Sequence, residues 1–343
     1  MTQGKDILKL VSESKDYNFL KENELLKENV ILLGLGGSHA YGMNKENSDI
    51  DIRGIALNSK EEILLGKDFE QVVDVTTDTT VYSFKKIVSL LTECNPNTIE
   101  ILGLRPEQYL FVKPEGQVLI DNLQAFLSKR AFFTFTGYAN QQLRRLENKV
   151  DKNASQPKHI RHILETLNHA KYTFDGKYDS YSPETLELVL SDHPNKTGDK
   201  QILLNFNCKN YPLEEFVSMF TELKNINDEY NKIGKRNKKA IEHDKLGKHM
   251  AHLLRLYFML FDIAEEGVVR TYREKEHDLL MAVRNNEYLD ENLEPIPEFY
   301  KIVDDLNIKT KKLMETSKLP DNPDYKTINK ILCNVNEDIV KKN

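Results

Sequence analysis

The sequence lacks tryptophan, holds only three cysteines and contains no long apolar run, and the last two features limit the class of protein. No run of about 18 apolar residues is present, so we expect no membrane-spanning helix and no membrane partner. The first residues also lack the apolar stretch of a secretion signal. Cys94, Cys208 and Cys333 follow no disulfide or metal-ligand spacing and are typical of reduced thiols. We therefore expect a soluble protein of the cytoplasm.

The chain has no excess of positive charge, because 48 Lys and Arg stand against 54 Asp and Glu, for a net charge of −6. This balance excludes a protein that coats nucleic acid with its whole surface, so any polyanion must meet a local basic patch. The segment 230–255 is such a patch, with eight Lys or Arg against two acids. It is either a solvated face or a rim that contacts the phosphates of an RNA end or a triphosphate. Base stacking is left to 15 Tyr and 15 Phe.

The pattern of apolar residues predicts an α+β protein. Residues 30–35 and 50–57 are typical of strands, and residues 71–84 alternate as a third strand of the same sheet. Apolar residues then repeat at the period of a helix that packs on this sheet, and from about residue 116 long amphipathic helices dominate, with a short β-hairpin near residues 185–207. We therefore predict two domains, a mixed sheet with flanking helices over residues 1–115 and a mostly helical domain over residues 116–343.

A pair of carboxylates is the most informative feature. Asp49 and Asp51 lie two residues apart in a predicted strand, so both side chains emerge on one face while Ile50 and Ile52 turn into the core. Neighbouring carboxylates repel each other unless a hard divalent cation such as Mg²⁺ lies between them. A third carboxylate from the next strand would complete a two-metal site. On geometry alone, Asp74 and Asp78 are both candidates, because they share one face of that strand.

A glycine-rich turn precedes this pair. Gly36, Gly37 and Ser38 follow a predicted strand, and their backbone N–H groups and hydroxyl can approach phosphates closely. Each part also has a plain structural interpretation, since Gly-Gly-Ser is a common turn and the DIDIR segment could be an exposed edge strand.

Taken together, the parts resemble a known signature. A strand, then Gly37-Ser38, ten intervening residues and Asp49-Ile50-Asp51-Ile52 is similar to the DNA polymerase beta-like nucleotidyltransferase superfamily. Within it, the chain resembles the subgroup labelled RNA-repair-pathway DNA polymerase beta family. The stretches that carry this likeness are GSHAYG at 37–42, SDIDIRG at 48–54, DTTVYSFKKIVSLL at 78–91, NPNTIEIL at 95–102, KHMAHLLRL at 248–256 and SKLPDNPD at 317–324. The likeness implies a nucleotidyltransferase-type mixed sheet followed by a helical domain.

The resemblance also implies roles for individual residues. Asp78 becomes the third ligand, with Asp49 and Asp51, of two Mg²⁺ ions, for which Mn²⁺ is a possible substitute. By the same likeness Gly37 and Ser38 bind the nucleotide phosphates, and Tyr41 and Arg53 are candidates for the nucleotide pocket. Lys248, which lies in the matching stretch at 248–256, is expected to bind the nucleotide as well. His249, His252 and Arg255 are spaced three apart on one side of the predicted helix, so His252 and Arg255 are expected to reach the nucleotide, while the alternative for the two histidines is a partly buried, hydrogen-bonded position. One departure from the pattern occurs in VRNNE at 283–287, where an Arg-Gly or Lys-Gly step is expected before the Glu, which leaves a role of Arg284 open.

These observations predict an enzyme that transfers NMP from an NTP to an acceptor hydroxyl and releases pyrophosphate. The expected acceptor is an RNA 3′ end, tRNA-like or damaged. The same chemistry serves transfer to a hydroxyl of a protein or a small molecule, and a non-catalytic nucleotide-binding partner protein is the alternative from another class. The sequence predicts no particular oligomeric state.

Overall fold

The computed structural model describes residues 2–46, 48–150, 156–192, 194, 200–242, 246–291 and 293–341. The chain forms two compact units. The first comprises Met1–Asn140, Ala251–Tyr288 and Pro295–Asn343, and the second comprises Gln141–Met250 and Leu289–Glu294. These units are defined by compactness alone, so the predicted division into a catalytic and a helical domain near residue 115 stays a prediction.

The described residues form strands and helices in the following order. The strands are β1 Val30–Leu35, β2 Ile52–Ala56, β3 Gln71–Asp74, β4 Thr79–Ser83, β5 Tyr109–Val112, β6 Leu186–Asp192 and β7 Lys200–Phe206. The helices are α1 Thr2–Glu13, α2 Phe19–Glu22, α3 Gly37–Tyr41, α4 Lys60–Leu65, α5 Phe84–Thr92, α6 Pro96–Ile99, α7 Pro114–Asp121, α8 Leu123–Phe126, α9 Arg130–Val150, α10 Gln156–Phe174, α11 Leu213–Glu242, α12 Leu246–Glu266, α13 His277–Arg284, α14 Pro297–Thr316 and α15 Tyr325–Lys341. Within the described ranges, no helix is both long and apolar enough to cross a bilayer.

A five-stranded mixed sheet is the centre of the first unit. Its strand order is β3-β4-β2-β1-β5, with β2 and β4 parallel and the other neighbours antiparallel. All six residues of β1 are buried, as the apolar sequence VILLGL predicts for a central strand. The mixed sheet in the N-terminal region and the helical C-terminal region confirm the predicted α+β class.

Both faces of this sheet are covered. Leu33, Leu35, Ile52 and Val81 belong to one apolar cluster with side chains from α1 and the turns that follow it. Helix α5 contacts β2 and β4, and its apolar positions are buried, as the helical period predicted; these are Phe84, Ile87, Val88 and Leu91. This close packing holds in place the residues at the ends of the strands.

The predicted third strand over residues 71–84 is wrong in one respect, because the chain reverses within it. β3 and β4 form an antiparallel hairpin around a turn at residues 75–78. The Asp74 carboxylate accepts hydrogen bonds from Thr77 N and Oγ1 at 2.8 and 2.9 Å, and Asp78 has a φ of 46°. A side-chain cap and one left-handed residue are sufficient to turn the chain, while the apolar alternation continues unchanged on either side.

The second unit contains the antiparallel hairpin β6–β7, at the residues where a hairpin was expected, and parts of long helices. Phe174, Met219 and Leu186 are among its most buried side chains. Phe174 makes edge-on ring contacts with Tyr178 and Tyr181, each with ring centroids 5.6 Å apart. This unit therefore has an apolar core of its own.

Gly103 offers a test of the packing that joins distant parts of the chain in the first unit. A Cβ at this position would lie 2.5 Å from both the carbonyl oxygen and Cγ1 of Val269. We expect Gly103→Ala to lower the free energy of unfolding by roughly 1–3 kcal/mol, because overpacking forces the backbone to move. Urea denaturation measures this change.

Gly137 is the matched control, because it lies within α9 and a Cβ there would meet nothing within 4 Å. Gly137→Ala should raise the free energy of unfolding by about 0.5–1 kcal/mol, since alanine is the better helix former. Equal effects of the two substitutions would contradict the packing described for Gly103.

Candidate active site

The turn between β1 and α3 brings the backbone against a carboxylate. Gly37 has a φ of 52°, and a Cβ on it would lie 1.6 Å from Oδ2 of Asp51. The N–H group of Gly36 donates a hydrogen bond to the carbonyl oxygen of Asp51 at 2.8 Å. Only glycine combines this left-handed conformation with this close approach, so Gly37 is required for the position of Asp51.

The two aspartates of the predicted pair differ in environment. Asp51 is 8% exposed, whereas Asp49 is exposed, and both precede β2 instead of lying within the predicted strand at 50–57. Ile50 and Ile52 pack on the same apolar cluster, which confirms the prediction that they turn into the core. The pair is therefore held at the N-terminal end of a central strand.

Asp78 lies next to Asp51 on the neighbouring strand. β2 and β4 run parallel with Ile52 opposite Thr79, and the carbonyl oxygen of Asp78 accepts a hydrogen bond from Ile52 N at 3.3 Å. The residues that precede each strand, Asp51 and Asp78, are therefore neighbours at one edge of the sheet. The parallel register is the reason, because it aligns the N-terminal ends of the two strands.

Arg53 bridges this edge. Its Nη1 donates to the Asp78 carbonyl oxygen at 2.7 Å, and Nη1 and Nη2 each lie 3.4 Å from Asp78 Oδ1. A Cβ on Gly36 would lie 3.3 Å from Asp51 Cβ and 3.2 Å from Arg53 Cγ, so Asp51 and Arg53 share one face of the sheet. The guanidinium charge therefore lies on the face of both carboxylates and offsets part of their repulsion.

Asp74, the geometric rival of Asp78, has a different position. Its Oδ1 accepts two hydrogen bonds from Thr77, and its backbone is opposite Thr79 in the hairpin. This carboxylate caps the turn between β3 and β4, whereas Asp78 adjoins Asp51. Of the two candidates, Asp78 is therefore the one that lies next to Asp51, and its role stays a prediction.

The donors at this edge suit a hard cation. Asp51 and Asp78 offer carboxylate oxygens from adjacent segments of the chain, and Asp49 precedes Asp51 by two residues. The Asp51 carboxylate lies so close to Gly37 that a side chain there would not fit. Oxygen-only donors match Mg²⁺ or Mn²⁺. In the part of the chain that the structure describes, no three His, Cys, Asp or Glu side chains are already gathered as a metal centre. The two-ion site therefore stays a prediction.

A buried charged cluster lies at the other end of α3. The guanidinium of Arg255 stacks 3.3 Å from the ring centroid of Tyr41, and its Nη2 lies 2.8 Å from His252 Nδ1. Its Nη1 lies 3.8 Å from Oε2 of Glu100. Tyr41 and Arg255 are 1% and 5% exposed, so the cluster ties α3 to α12 through the interior of the first unit.

The cluster is incompletely satisfied within the described residues. Tyr41 Oη, Glu100 Oε2 and Arg255 Nε are buried and have no hydrogen-bond partner there. Burial raises the pKa of Glu100 to about 8, and burial together with the charge of Arg273 lowers the pKa of Arg255. Both shifts follow from the free energy needed to keep a charge away from water.

The other residues predicted to contact the nucleotide belong to different helices. Ser38 is 6% exposed, and its carbonyl oxygen accepts a hydrogen bond from Met43 N at 2.9 Å. His252 is half-buried beside Arg255, whereas Lys248 is exposed on the part of α12 that belongs to the second unit. The cationic side chains of the basic patch from 232 to 245 lie outside the described residues. The assignments of all these residues to nucleotide binding stay predictions.

Short sequence motifs do not single out Glu100, although its surroundings in the chain contain a signal. Glu100 is the one charged residue in the run TIEIL at 98–102, and it is 8% exposed. A carboxylate within such an apolar run requires a buried partner. That partner, Arg255, lies 155 positions further along the chain, too far for local patterns to indicate.

Comparison with known proteins shows a family match and one similar phage protein. The family model described as RNA repair pathway DNA polymerase beta family matches residues 10–172, a range that includes Asp49, Asp51 and Asp78. A 38.9 kDa protein of Enterobacteria phage T4, described as uncharacterized and located in the nrdC-mobD intergenic region, is 24% identical over 264 residues, which cover 67% of this chain and 75% of the phage protein. No solved structure matches the chain significantly.

Glu100 should make stability depend on pH. Its native pKa of about 8 exceeds the ordinary value of 4.5, so the native state keeps a proton that the unfolded chain releases as the pH rises. The free energy of unfolding therefore falls between these two pH values, by at most about 1.4 kcal/mol per pH unit. Glu100→Gln stays neutral, so its stability relative to the wild type should rise across this interval and level off above it.

Urea denaturation at a series of pH values from 5 to 9 measures the difference. The exposed Glu28→Gln variant is the control and should show no such trend. A constant difference between Glu100→Gln and the wild type over the whole series would contradict the assignment.

Proposed function

Because residues 10–172 belong to the RNA repair pathway DNA polymerase beta family, we propose that the protein is a metal-dependent nucleotidyltransferase. It transfers NMP from an NTP to an acceptor hydroxyl and releases pyrophosphate, and the acceptor is an RNA 3′ end. One observation carries the proposal: Asp51, held against the backbone of Gly37, adjoins Asp78 across two parallel strands.

Each acidic residue has a role in this reaction. Asp49 and Asp51 would hold two Mg²⁺ ions, and Asp78 would hold the ion nearer the acceptor hydroxyl; Mn²⁺ would suit the same oxygens. When bound, the ions lower the pKa of the hydroxyl and offset charge on the phosphates. The half-exposed location of Asp78 leaves it accessible to an incoming substrate, since its side chain is 60% exposed.

Arg53 supports the carboxylates before substrate arrives. Its contact with Asp78 supplies positive charge beside two acids that would otherwise repel each other. A cation held by these carboxylates would supply that charge, and Arg53 would then be available to a phosphate oxygen of the nucleotide. A planar guanidinium is well suited to such a bidentate contact.

The family supports RNA as the acceptor, since its description refers to an RNA repair pathway. With a net charge of −6, the protein needs local cations to bind RNA, and the basic patch at 230–255, which includes the exposed Lys248, would provide them. Transfer to a hydroxyl of a protein or a small molecule is the alternative outcome. We place the activity in the cytoplasm, because Cys94, Cys208 and Cys333 are all free thiols.

A labelling experiment tests the reaction and its acceptor together. We expect the protein with Mg²⁺ and each of the four α-³²P NTPs to label cellular RNA and to release pyrophosphate. Asp51→Asn should abolish labelling while the circular dichroism spectrum is unchanged, because Asn keeps the shape of Asp but lacks its charge. Retained transfer by this variant would defeat the metal scheme, and NTP binding without pyrophosphate release by the wild type would identify a non-catalytic nucleotide-binding protein.

A second comparison separates the two candidate third carboxylates. Asp78→Asn should lower the rate of transfer by at least about 100-fold, because the oxygen ligand beside Asp51 loses its charge. Asp74→Asn should keep the rate within a few-fold of the wild type and lower the free energy of unfolding by about 1 kcal/mol, since it weakens the turn cap. The opposite ranking in single-turnover assays would assign the third ligand to Asp74.

A further inference from the structure

Helix α13 comes from the distal part of the chain, beyond the family match, and lies along the loop that leads to Asp49. At its first residue, His277 Nε2 is 3.2 Å from the carbonyl oxygen of Gly42. At its last residue, Arg284 Nη2 is 3.4 Å from Oγ of Ser48. The helix is roughly 10 Å long at 1.5 Å per residue, so it contacts both ends of the loop between α3 and the acidic pair.

The position of Arg284 is fixed from both sides. Leu280 and Val283 of α13 are fully buried, which anchors the helix. On the loop, Ser48 Oγ accepts a hydrogen bond from Lys45 N at 2.8 Å, and the Ser48 carbonyl oxygen lies 3.4 Å from His39 Nε2. Because Ser48 directly precedes Asp49, the guanidinium is held beside the chain segment that begins the acidic pair.

The guanidinium of Arg284 has no acidic partner among the residues that the structure describes. It is half-buried, and within the described residues it forms no ion pair, its hydrogen bond being to the neutral hydroxyl of Ser48. Arg273, which is also buried, pairs with both Asp262 and Glu276. A guanidinium that is partly withdrawn from water and keeps most of its five N–H donors unused is suited to an anion.

We propose that Arg284 binds the terminal phosphates of the nucleoside triphosphate, which leave as pyrophosphate. This inference rests on the proposed function. As the acceptor oxygen bonds to the α-phosphorus, the bond from that phosphorus to the bridging oxygen breaks, and its electron pair departs on pyrophosphate while the acceptor proton passes to water. Arg284 contacts Ser48, the residue that precedes Asp49, and the β- and γ-phosphates carry most of the negative charge of the triphosphate, so this guanidinium is suited to the leaving group.

Binding without turnover tests the inference. The probes are the four α,β-methylene nucleoside triphosphates, which cannot release pyrophosphate, and the four NMPs, each titrated calorimetrically into the full-length protein with Mg²⁺. We expect Arg284→Gln to weaken binding of the preferred triphosphate analogue by about 10- to 100-fold, as for a lost charge-assisted hydrogen bond, and to leave NMP binding unchanged. Arg284→Lys should recover part of the loss, because it keeps the charge.

Arg161→Gln, which removes an exposed arginine of the second unit, is the control and should leave triphosphate binding unchanged. Equal weakening of NMP and triphosphate by Arg284→Gln, or no weakening, would overturn the inference. A wild-type protein that binds triphosphate but transfers no nucleotide would overturn the proposed reaction and leave Arg284 to be judged by binding. A wild-type protein that binds no triphosphate would overturn both.

Discussion

The contact between the Asp51 carboxylate and the backbone of Gly37 sets the arrangement of the entire candidate site. It needs a residue without a side chain in a left-handed conformation, and it places a nearly buried acid at the N-terminal end of β2. The parallel pairing of β2 with β4 then aligns Asp78 beside it. The local turn and the sheet register thus act together, and neither alone would bring two carboxylates to one edge.

Charge compensation is the second constraint on the first unit. Arg53 pairs with Asp78 at the edge of the sheet, and Arg255 lies near Glu100 in the interior, so these two acids each have an arginine as neighbour. Burial disfavours the charged form of both partners of the interior pair. Among the described residues, Glu100 Oε2 and Arg255 Nε also have no hydrogen-bond partner. Through the stacked Tyr41, this pair joins α12 to the helix that begins at Gly37.

Much of the first unit could be predicted from local patterns. The apolar run at 30–35 and the helical period from Phe84 to Leu91 predicted β1 and α5, because each pattern reflects burial of one short element. The hairpin between β3 and β4 could not be predicted in this way. Its reversal depends on the hydrogen bonds of Asp74 to Thr77 and on the left-handed Asp78, neither of which interrupts the alternation of side chains.

The sequence by itself indicated the family resemblance, the α+β class and the candidate acidic residues, because these depend on short motifs with a fixed spacing and on local periodicity. The tertiary structure alone decided which residues meet them. The register between β2 and β4 places Asp78 beside Asp51, as the family resemblance implied. The return of α12 and α13 to the first unit brings Arg255 to Glu100 and Arg284 to Ser48. Such contacts join residues more than 150 positions apart, and their partners are selected by packing and charge in space, which no periodicity along the chain records.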